Sequence, residues 1–119
     1  MNLVGKFGEQ AAADYLRRQN YKILSQNYRT RFGEIDIVFL DKDTIVFCEV
    51  KTRKSLHAGL PYEAVNFHKK QQIKKTILNY ITHYKLLKRK FRFDVISIYQ
   101  NNNQFEVEHF KNVEMNILI

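Results

Sequence analysis

The chain has 119 residues, of which 45% are hydrophobic and 27% are charged, and this length predicts a single domain, 1–119, with one core. No apolar run approaches the roughly 20 residues that cross a bilayer, and the mixture of charged and aromatic residues excludes a disordered chain. The single cysteine, Cys48, cannot form an internal disulfide. Since no secretory signal pattern is present, the expected location is the reducing cytoplasm.

The charge is distributed unevenly. The formal net charge is +8, but segment 51–92 alone holds twelve basic residues against one acid, Glu63, and the rest of the chain has a net charge of −3. A basic surface of this kind favours a polyanionic partner such as nucleic acid. We therefore expect anion contacts to concentrate on this middle segment.

Hydrophobic spacing predicts an α/β domain. Apolar residues three and four apart indicate an amphipathic helix over 3–19, and β-favouring runs indicate strands over 21–27, 34–40 and 44–52. A second long helix is expected from Pro61 to Leu87, since proline suits a first helical turn. Strands at 91–99 and 104–110, joined by a turn at 101–103, complete the order αβββαββ.

Charged residues interrupt two of the apolar strands. Glu34 and Asp36 lie in the second strand, and Glu49 and Lys51 lie in the third. Because side chains alternate along a strand, the members of each pair share one face. A four-residue loop at 41–44 would pair Leu40 with Ile45 and set Asp36 opposite Glu49, whereas a three-residue loop would put the pairs on opposite faces unless a bulge restored the phase.

Two carboxylates facing each other across strands repel, and partial burial increases the repulsion. A hard divalent cation would relieve it, because Mg²⁺ prefers carboxylate and water oxygens and often takes only one or two protein carboxylates. We therefore predict that Asp36 and Glu49 share one cation, with Lys51 on the same face to orient water or a phosphate. The alternative is an ion ladder on a solvated sheet face.

Two sequence blocks resemble a known family. The block GEIDIV at 33–38 and the block EVKTR at 49–53 look like the D…ExK signature of the PD-(D/E)xK nuclease superfamily, and more closely like the bacterial YraN family, which is related to archaeal Holliday junction resolvases. A Pro-Asp form of the motif is absent, since Phe32 precedes Gly33 and two residues separate that glycine from Asp36. Further matches are Gly8-Glu9, Tyr15-Leu16, Asn27, Arg29, Gly59, Pro61, Ala64-Val65, Lys69 and Arg92-Phe93-Asp94-Val95.

The resemblance implies a restriction-endonuclease-like fold, an αβββαβ core with a mixed sheet flanked by helices. It also implies metal binding by Asp36 and Glu49, a catalytic Lys51, and Glu9 of the first helix as a further ligand, with Glu34 completing or orienting the shell. On the residues alone, Glu9 reads as a solvated helix acid. A homodimer is an option because resolvases act on near two-fold junctions, although no residue here marks a dimer face.

Basic residues around this motif are candidates for phosphate contacts. Because few acids compensate them, we interpret the lysines of the second helix as nucleic-acid-binding rather than only solvated. These lysines are Lys69, Lys70, Lys74 and Lys75. Arg53 is a further candidate. Tyr28 and Phe32, beside two arginines, read mainly as packing residues, with stacking on unpaired bases as the alternative. The four histidines lack zinc-site spacing and read as surface or packing residues, and Cys48 reads as a core residue.

The expected function is metal-dependent hydrolysis of DNA phosphodiesters with Mg²⁺ or Mn²⁺, on branched or junction DNA in repair or recombination as the resemblance implies. The alternative is a non-catalytic nucleic-acid-binding module with a vestigial acidic site. A structural protein without a nucleic-acid partner is the third option, and the charge of the middle segment disfavours it.

Overall fold

The computed structural model describes residues 3–53, 67–101 and 104–113. The elements are α1 (Leu3–Arg18), β1 (Lys22–Thr30), β2 (Gly33–Asp41), β3 (Thr44–Arg53), α2 (Phe67–His83), β4 (Lys90–Asn101) and β5 (Gln104–Phe110). The predicted order αβββαββ is confirmed. The predicted start of the second helix at Pro61 and most of the turn at 101–103 lie outside the described residues.

The strands form one mixed sheet flanked by the two helices. Their order is β1-β2-β3-β4-β5, so each strand lies beside its neighbour in sequence. All neighbours are antiparallel except β3 and β4, which run parallel. A parallel pair needs a long crossover connection, and α2 lies within it.

Each face of the sheet is covered by one helix. α1 has small residues and a leucine on its buried side, and α2 has isoleucines and Tyr80 on its buried side. The α1 layer holds Ala12, Ala13, Leu16, Ile37, Phe39, Val46, Cys48, Ile96 and Ile98. The α2 layer holds Ile35, Val38, Ile45, Phe47, Ile73, Ile77, Tyr80, Ile81, Phe93 and Val95. Cys48 is therefore a core residue, as predicted.

A residue with left-handed backbone geometry lies two residues beyond the end of each helix. Asn20 follows α1 with φ 66°, and Lys85 follows α2 with φ 57°. Beyond α2 the N–H of Leu86 donates to the carbonyl of Ile81 at 2.8 Å, which is the hydrogen bond of a Schellman cap. The prediction that the second helix reaches Leu87 is wrong, because the helix ends at His83 and the backbone turns at Lys85. Leu86 continues the apolar stripe only after this turn. Neither helix in the described parts of the chain is long and apolar enough to span a bilayer.

The β2–β3 hairpin has the predicted register but a shorter loop. Leu40 pairs with Ile45, as expected, and Asp41 also pairs with Thr44. The loop is therefore two residues, 42–43, rather than the predicted four, and the phase of the strands is unchanged. β1 continues to Thr30, three residues beyond its predicted end. It pairs with β2 as far as Thr30 and Gly33, the last pair before the turn.

Candidate active site

A fork between β2 and β3 creates the candidate site. The pairing of these strands runs from the hairpin to Ile37 and Cys48. Beyond this pair the N–H of Val50 donates to Oδ2 of Asp36 at 2.8 Å. A regular ladder would give that N–H a carbonyl of β2. The Asp36 carboxylate takes the place of a backbone acceptor where the two strands separate.

Four carboxylates line the cavity at this fork. The cavity has a volume of about 310 Å³ and extends from β2 and β3 to the first turns of α1. Asp36 and Glu49 are nearly buried, at 6% and 9% exposure. The carboxylates that line it are Glu9, Glu34, Asp36 and Glu49, and Lys51 lines it with them. The predicted catalytic residues are thus brought to one cavity.

Two lysines approach Glu49 from different elements. Lys51 Nζ lies 3.7 Å from Oε1 of Glu49, and Lys69 Nζ, on α2, lies 3.8 Å from the same oxygen. Lys51 is two residues along β3, on the same face as Glu49. Lys69 reaches the site only because α2 packs against that face of the sheet. The prediction that Lys51 shares the face of Glu49 is confirmed.

The buried acids change the ionisation of the site. Burial, followed by the charge of Glu49, raises the pKa of Asp36 to about 8, although the Val50 N–H opposes the shift. Burial also raises the pKa of Glu49, with Lys51 and Lys69 acting against it. Burial and the neighbouring Lys69 lower the pKa of Lys51. Asp36 therefore keeps its proton to a higher pH than an ordinary aspartate does, unless a further positive charge enters the site.

A close approach of α1 to β3 carries Glu9 to the cavity. A Cβ atom added at Gly8 would lie only 2.0 Å from Oγ1 of Thr52. Any side chain at this position would force the helix away from the strand. Glu9 follows directly and lines the cavity with Thr52, so the contact between helix and strand fixes the position of this acid.

Sequence comparisons agree with one another on the family. The model of the Uncharacterised protein family UPF0102 matches residues 8–98. The chain belongs to the UPF0102 family. A UPF0102 protein of Caldicellulosiruptor bescii is 52% identical over 103 residues, covering 83% of this chain and 86% of the relative. One of Caldanaerobacter subterraneus subsp. tengcongensis is 44% identical over 110 residues, covering 92% and 90%.

One solved structure with a weak similarity is the crystal structure of SSO0001. It aligns with a TM-score of 0.39 and 16% identity, and the alignment covers 94% of this chain but only 53% of that one. This score is too low to support a comparison of the two sites.

The remaining basic candidates of this UPF0102 chain lie outside the cavity. Arg53 ends β3 and is partly buried. On α2, Lys70 and Lys74 are partly exposed and Lys75 is exposed. Of the α2 lysines that were predicted to bind phosphate, Lys69 is the one with an ion pair to a cavity carboxylate.

A buried polar network on the α1 side of the sheet was not predicted. The Asp94 side chain is fully buried and accepts hydrogen bonds from Arg92 at 2.9 Å and from the backbone N–H of Asn112 at 2.9 Å. Burial alone would raise the pKa of Asp94, but hydrogen bonds from His109 and Arg92 lower it. The network joins β4 to the segment that follows β5.

His109 is the residue that sequence reasoning underestimated. The prediction makes it a surface or packing residue; its side chain is 4% exposed, with Nε2 2.7 Å from Asp94 and Nδ1 3.0 Å from the Tyr15 hydroxyl. The signal in the sequence was an acid, Asp94, inside a strand of large apolar residues, because a buried carboxylate needs partners. Its partners lie far away along the chain, so no local pattern identified them.

Proposed function

We propose that this protein is a divalent-metal-dependent nuclease acting on DNA, with the cavity at the β2–β3 fork as its active site. The observation that carries the proposal is the pair of buried carboxylates, Asp36 and Glu49, which line one open cavity with Lys51, while Lys69 lies 3.8 Å from Glu49. An arrangement that raises the pKa of a carboxylate to about 8 is costly to the fold. Such costs are typical of functional sites.

The donor set fits Mg²⁺ or Mn²⁺. Both ions take carboxylate oxygens, and Mg²⁺ commonly uses one or two carboxylates and completes its octahedral shell with water and phosphate oxygens. In the described parts of the chain no three His, Cys, Asp or Glu side chains form a ready cluster for a metal ion. We assign Asp36 and Glu49 as ligands, with Glu9 as a further ligand and Glu34 available to orient coordinated water.

Each cavity residue has a distinct role in the proposed hydrolysis. A bound divalent ion would polarise the scissile phosphate and stabilise the leaving oxygen. Lys51 positions the attacking water, and because burial and Lys69 lower its pKa, it is closer than an ordinary lysine to the neutral amine that can take the proton of that water. Lys69 neutralises a phosphate oxygen beside Glu49. The phosphorus–oxygen bond then breaks, and the leaving oxygen takes a proton from solvent.

The resemblance to the YraN family and the PD-(D/E)xK nucleases supports this assignment. The residues that carry the resemblance, Asp36, Glu49 and Lys51, are the residues that meet in the cavity. By the same resemblance we propose branched or junction DNA, in repair or recombination, as the substrate. A shared motif does not fix a shared reaction, so cleavage of four-way-junction against linear DNA tests this substrate.

The basic surface of α2 favours a second candidate function, that of a binding module with an inactive acidic site. Four lysines lie within seven residues of this helix, at 69, 70, 74 and 75, and the first of them contacts the cavity. This surface would bind phosphates whether or not the cavity cleaves them.

A cleavage assay on linear, single-stranded, flapped and four-way-junction DNA distinguishes the two functions. With Mg²⁺ or Mn²⁺, Asp36→Asn, Glu49→Gln and Lys51→Ala should each reduce cleavage by about a hundredfold or more, because each removes a group that stabilises the transition state. Asp14→Asn, an exposed acid of α1, is the matched control and should cleave like the wild type.

Binding without metal is the second measurement. The two carboxylate variants should bind DNA as well as or better than the wild type in EDTA, because they repel phosphate less. A wild type that binds DNA but cleaves none of the four substrates would favour the binding module. Cleavage that persists unchanged in all three variants would place the activity elsewhere.

A further inference from the structure

The tip of the β1–β2 hairpin presents an aromatic ring with two cations beside it. The Cζ atom of Arg31 lies 4.9 Å from the centre of the Phe32 ring, and Nζ of Lys75 lies 5.6 Å from it. Arg31 and Lys75 are exposed, and Phe32 is partly exposed. Both cations lie over the ring, within the range of a cation–π contact. Because both side chains are exposed, a base that stacks on the ring can displace one of them from the ring face towards a phosphate.

The tip is held rigidly. Thr30 pairs with Gly33, which leaves a two-residue loop. The Thr30 hydroxyl accepts the N–H of Phe32 at 3.1 Å and donates to the carbonyl of Gly33 at 3.2 Å. Gly33 has φ 152°, and a Cβ there would lie 3.5 Å from Oγ1 of Thr76 on α2. The hairpin tip therefore rests against α2, and the backbone that carries the ring is ordered before any ligand arrives.

Two paths through the fold connect this ring to the candidate active site. Along the chain, Phe32 lies in the hairpin turn two residues before Glu34 at the cavity, a separation of at most about 7 Å between Cα atoms. Along α2, Lys69 at Glu49 and Lys75 at Phe32 are six residues apart, a rise of about 9 Å. Both separations are short enough for one strand to place a phosphate in the cavity and a nearby base at the ring.

We propose that Phe32, with Arg31 and Lys75, forms a stacking site for an unpaired base of a nucleic-acid strand whose phosphate occupies the cavity. This inference rests on the proposed function and specifies its substrate class. An aromatic ring stacks on a base of any sequence, and flanking cations hold the adjacent phosphates. Bases inside a continuous duplex are already stacked. The site therefore favours DNA with unpaired bases beside the scissile phosphate.

Binding in EDTA, measured by fluorescence anisotropy, tests the stacking site apart from catalysis. The probes are a single strand of about 16 nucleotides, which spans a typical single-strand site, and its blunt duplex. Phe32→Leu should weaken single-strand binding by about 5- to 100-fold and leave duplex binding within about twofold. Phe105→Leu, an exposed aromatic on β5 at the opposite edge of the sheet, should change neither.

A fluorescent base adds a readout of stacking itself. The wild type should quench 2-aminopurine in the single strand, Phe32→Leu should abolish the quenching, and Phe32→Trp should retain or increase it. The tryptophan variant also covers the case in which the leucine variant folds poorly, as judged by circular dichroism. Equal losses on single strand and duplex, or unchanged quenching in Phe32→Leu, would overturn the stacking site and leave the Phe32 contacts with a structural role only.

The result is separable from the proposed function. Stacking that depends on Phe32 in a wild type that cleaves no DNA would support the stacking site and refute the nuclease. Cleavage that is lost in the carboxylate variants, with single-strand binding unaffected by Phe32→Leu, would support the nuclease and overturn the stacking site.

Discussion

Replacing Asp36 with asparagine should stabilise the metal-free protein. Asp36 is 6% exposed and lies beside Glu49, so that its ionised form is held in an unfavourable position. Asparagine is similar in size and can still accept the hydrogen bond from the Val50 N–H. The variant therefore keeps the contact at the fork and loses the repulsion.

The pKa of Asp36 gives the size and the sign of the effect. It rises from 3.8 to about 8 on folding, and one pKa unit corresponds to about 1.4 kcal/mol. The ceiling is therefore about 6 kcal/mol, and since solvent entry and relaxation reduce it, we expect a gain of about 2 to 4 kcal/mol. Because the folded protein binds this proton more tightly, the wild type loses stability as the pH rises from 3.8 to about 8. The variant lacks this contribution and keeps that of Glu49, whose pKa burial also raises.

Urea unfolding in EDTA across about pH 4 to 9 measures the difference. The midpoints of the two proteins should converge near pH 4 and separate up to about pH 8, with equal m values. Added Mg²⁺ or Mn²⁺ should then stabilise the wild type, by about 2.7 kcal/mol at a hundred times the dissociation constant, and leave the variant almost unchanged. A variant less stable than the wild type at pH 8, or a gain that does not vary with pH, would refute this account of the cavity.

Three further predictions concern other parts of the molecule. Asp94→Asn should lower the free energy of unfolding by about 2 to 4 kcal/mol, because it leaves buried donors without their charged acceptor. Measured by urea unfolding, this loss of stability should be largest above the ordinary pKa of aspartate and should diminish as the pH falls below that pKa. Gly8→Ala should cost about 1 to 3 kcal/mol despite the better helix propensity of alanine, with part of the melting temperature recovered by adding Thr52→Ala, and a stabilised variant would contradict the close packing of α1. Replacing Lys69, Lys70, Lys74 and Lys75 with glutamine should make binding to duplex DNA less dependent on salt. The slope of the logarithm of the binding constant against the logarithm of the salt concentration should fall by up to about 0.9 for each phosphate contact removed. Lys22→Gln and Lys42→Gln are the exposed controls, and an unchanged slope would remove α2 from the interface.

The sequence predicted those features that depend on neighbours along the chain. Strand alternation and a short loop are local, so they predicted that Leu40 pairs with Ile45 and that Asp36 and Glu49 share one face of the sheet. Even an error of loop length, two residues instead of four, left the register intact, because Asp41 and Thr44 extended the strands by one residue each. The element order followed from hydrophobic period for the same reason.

The end of α2 marks the limit of such local reasoning. The apolar stripe continues to Leu86, which packs against the α2 layer of the core, and periodicity alone extends the helix with it. The backbone turns at Lys85 instead. A side chain can remain in the core after the helix has ended, and hydrophobic pattern does not distinguish these cases.

The tertiary structure decided how the site is assembled and charged. Lys69 reaches Glu49 because α2 packs on one face of the sheet, and Glu9 reaches the cavity because Gly8 lets α1 approach Thr52. The raised pKa of Asp36 likewise depends on burial by residues distant in sequence. Desolvation and Coulomb interactions act through space, so their strength is fixed only when the helices have packed onto the sheet and buried the carboxylates at the fork.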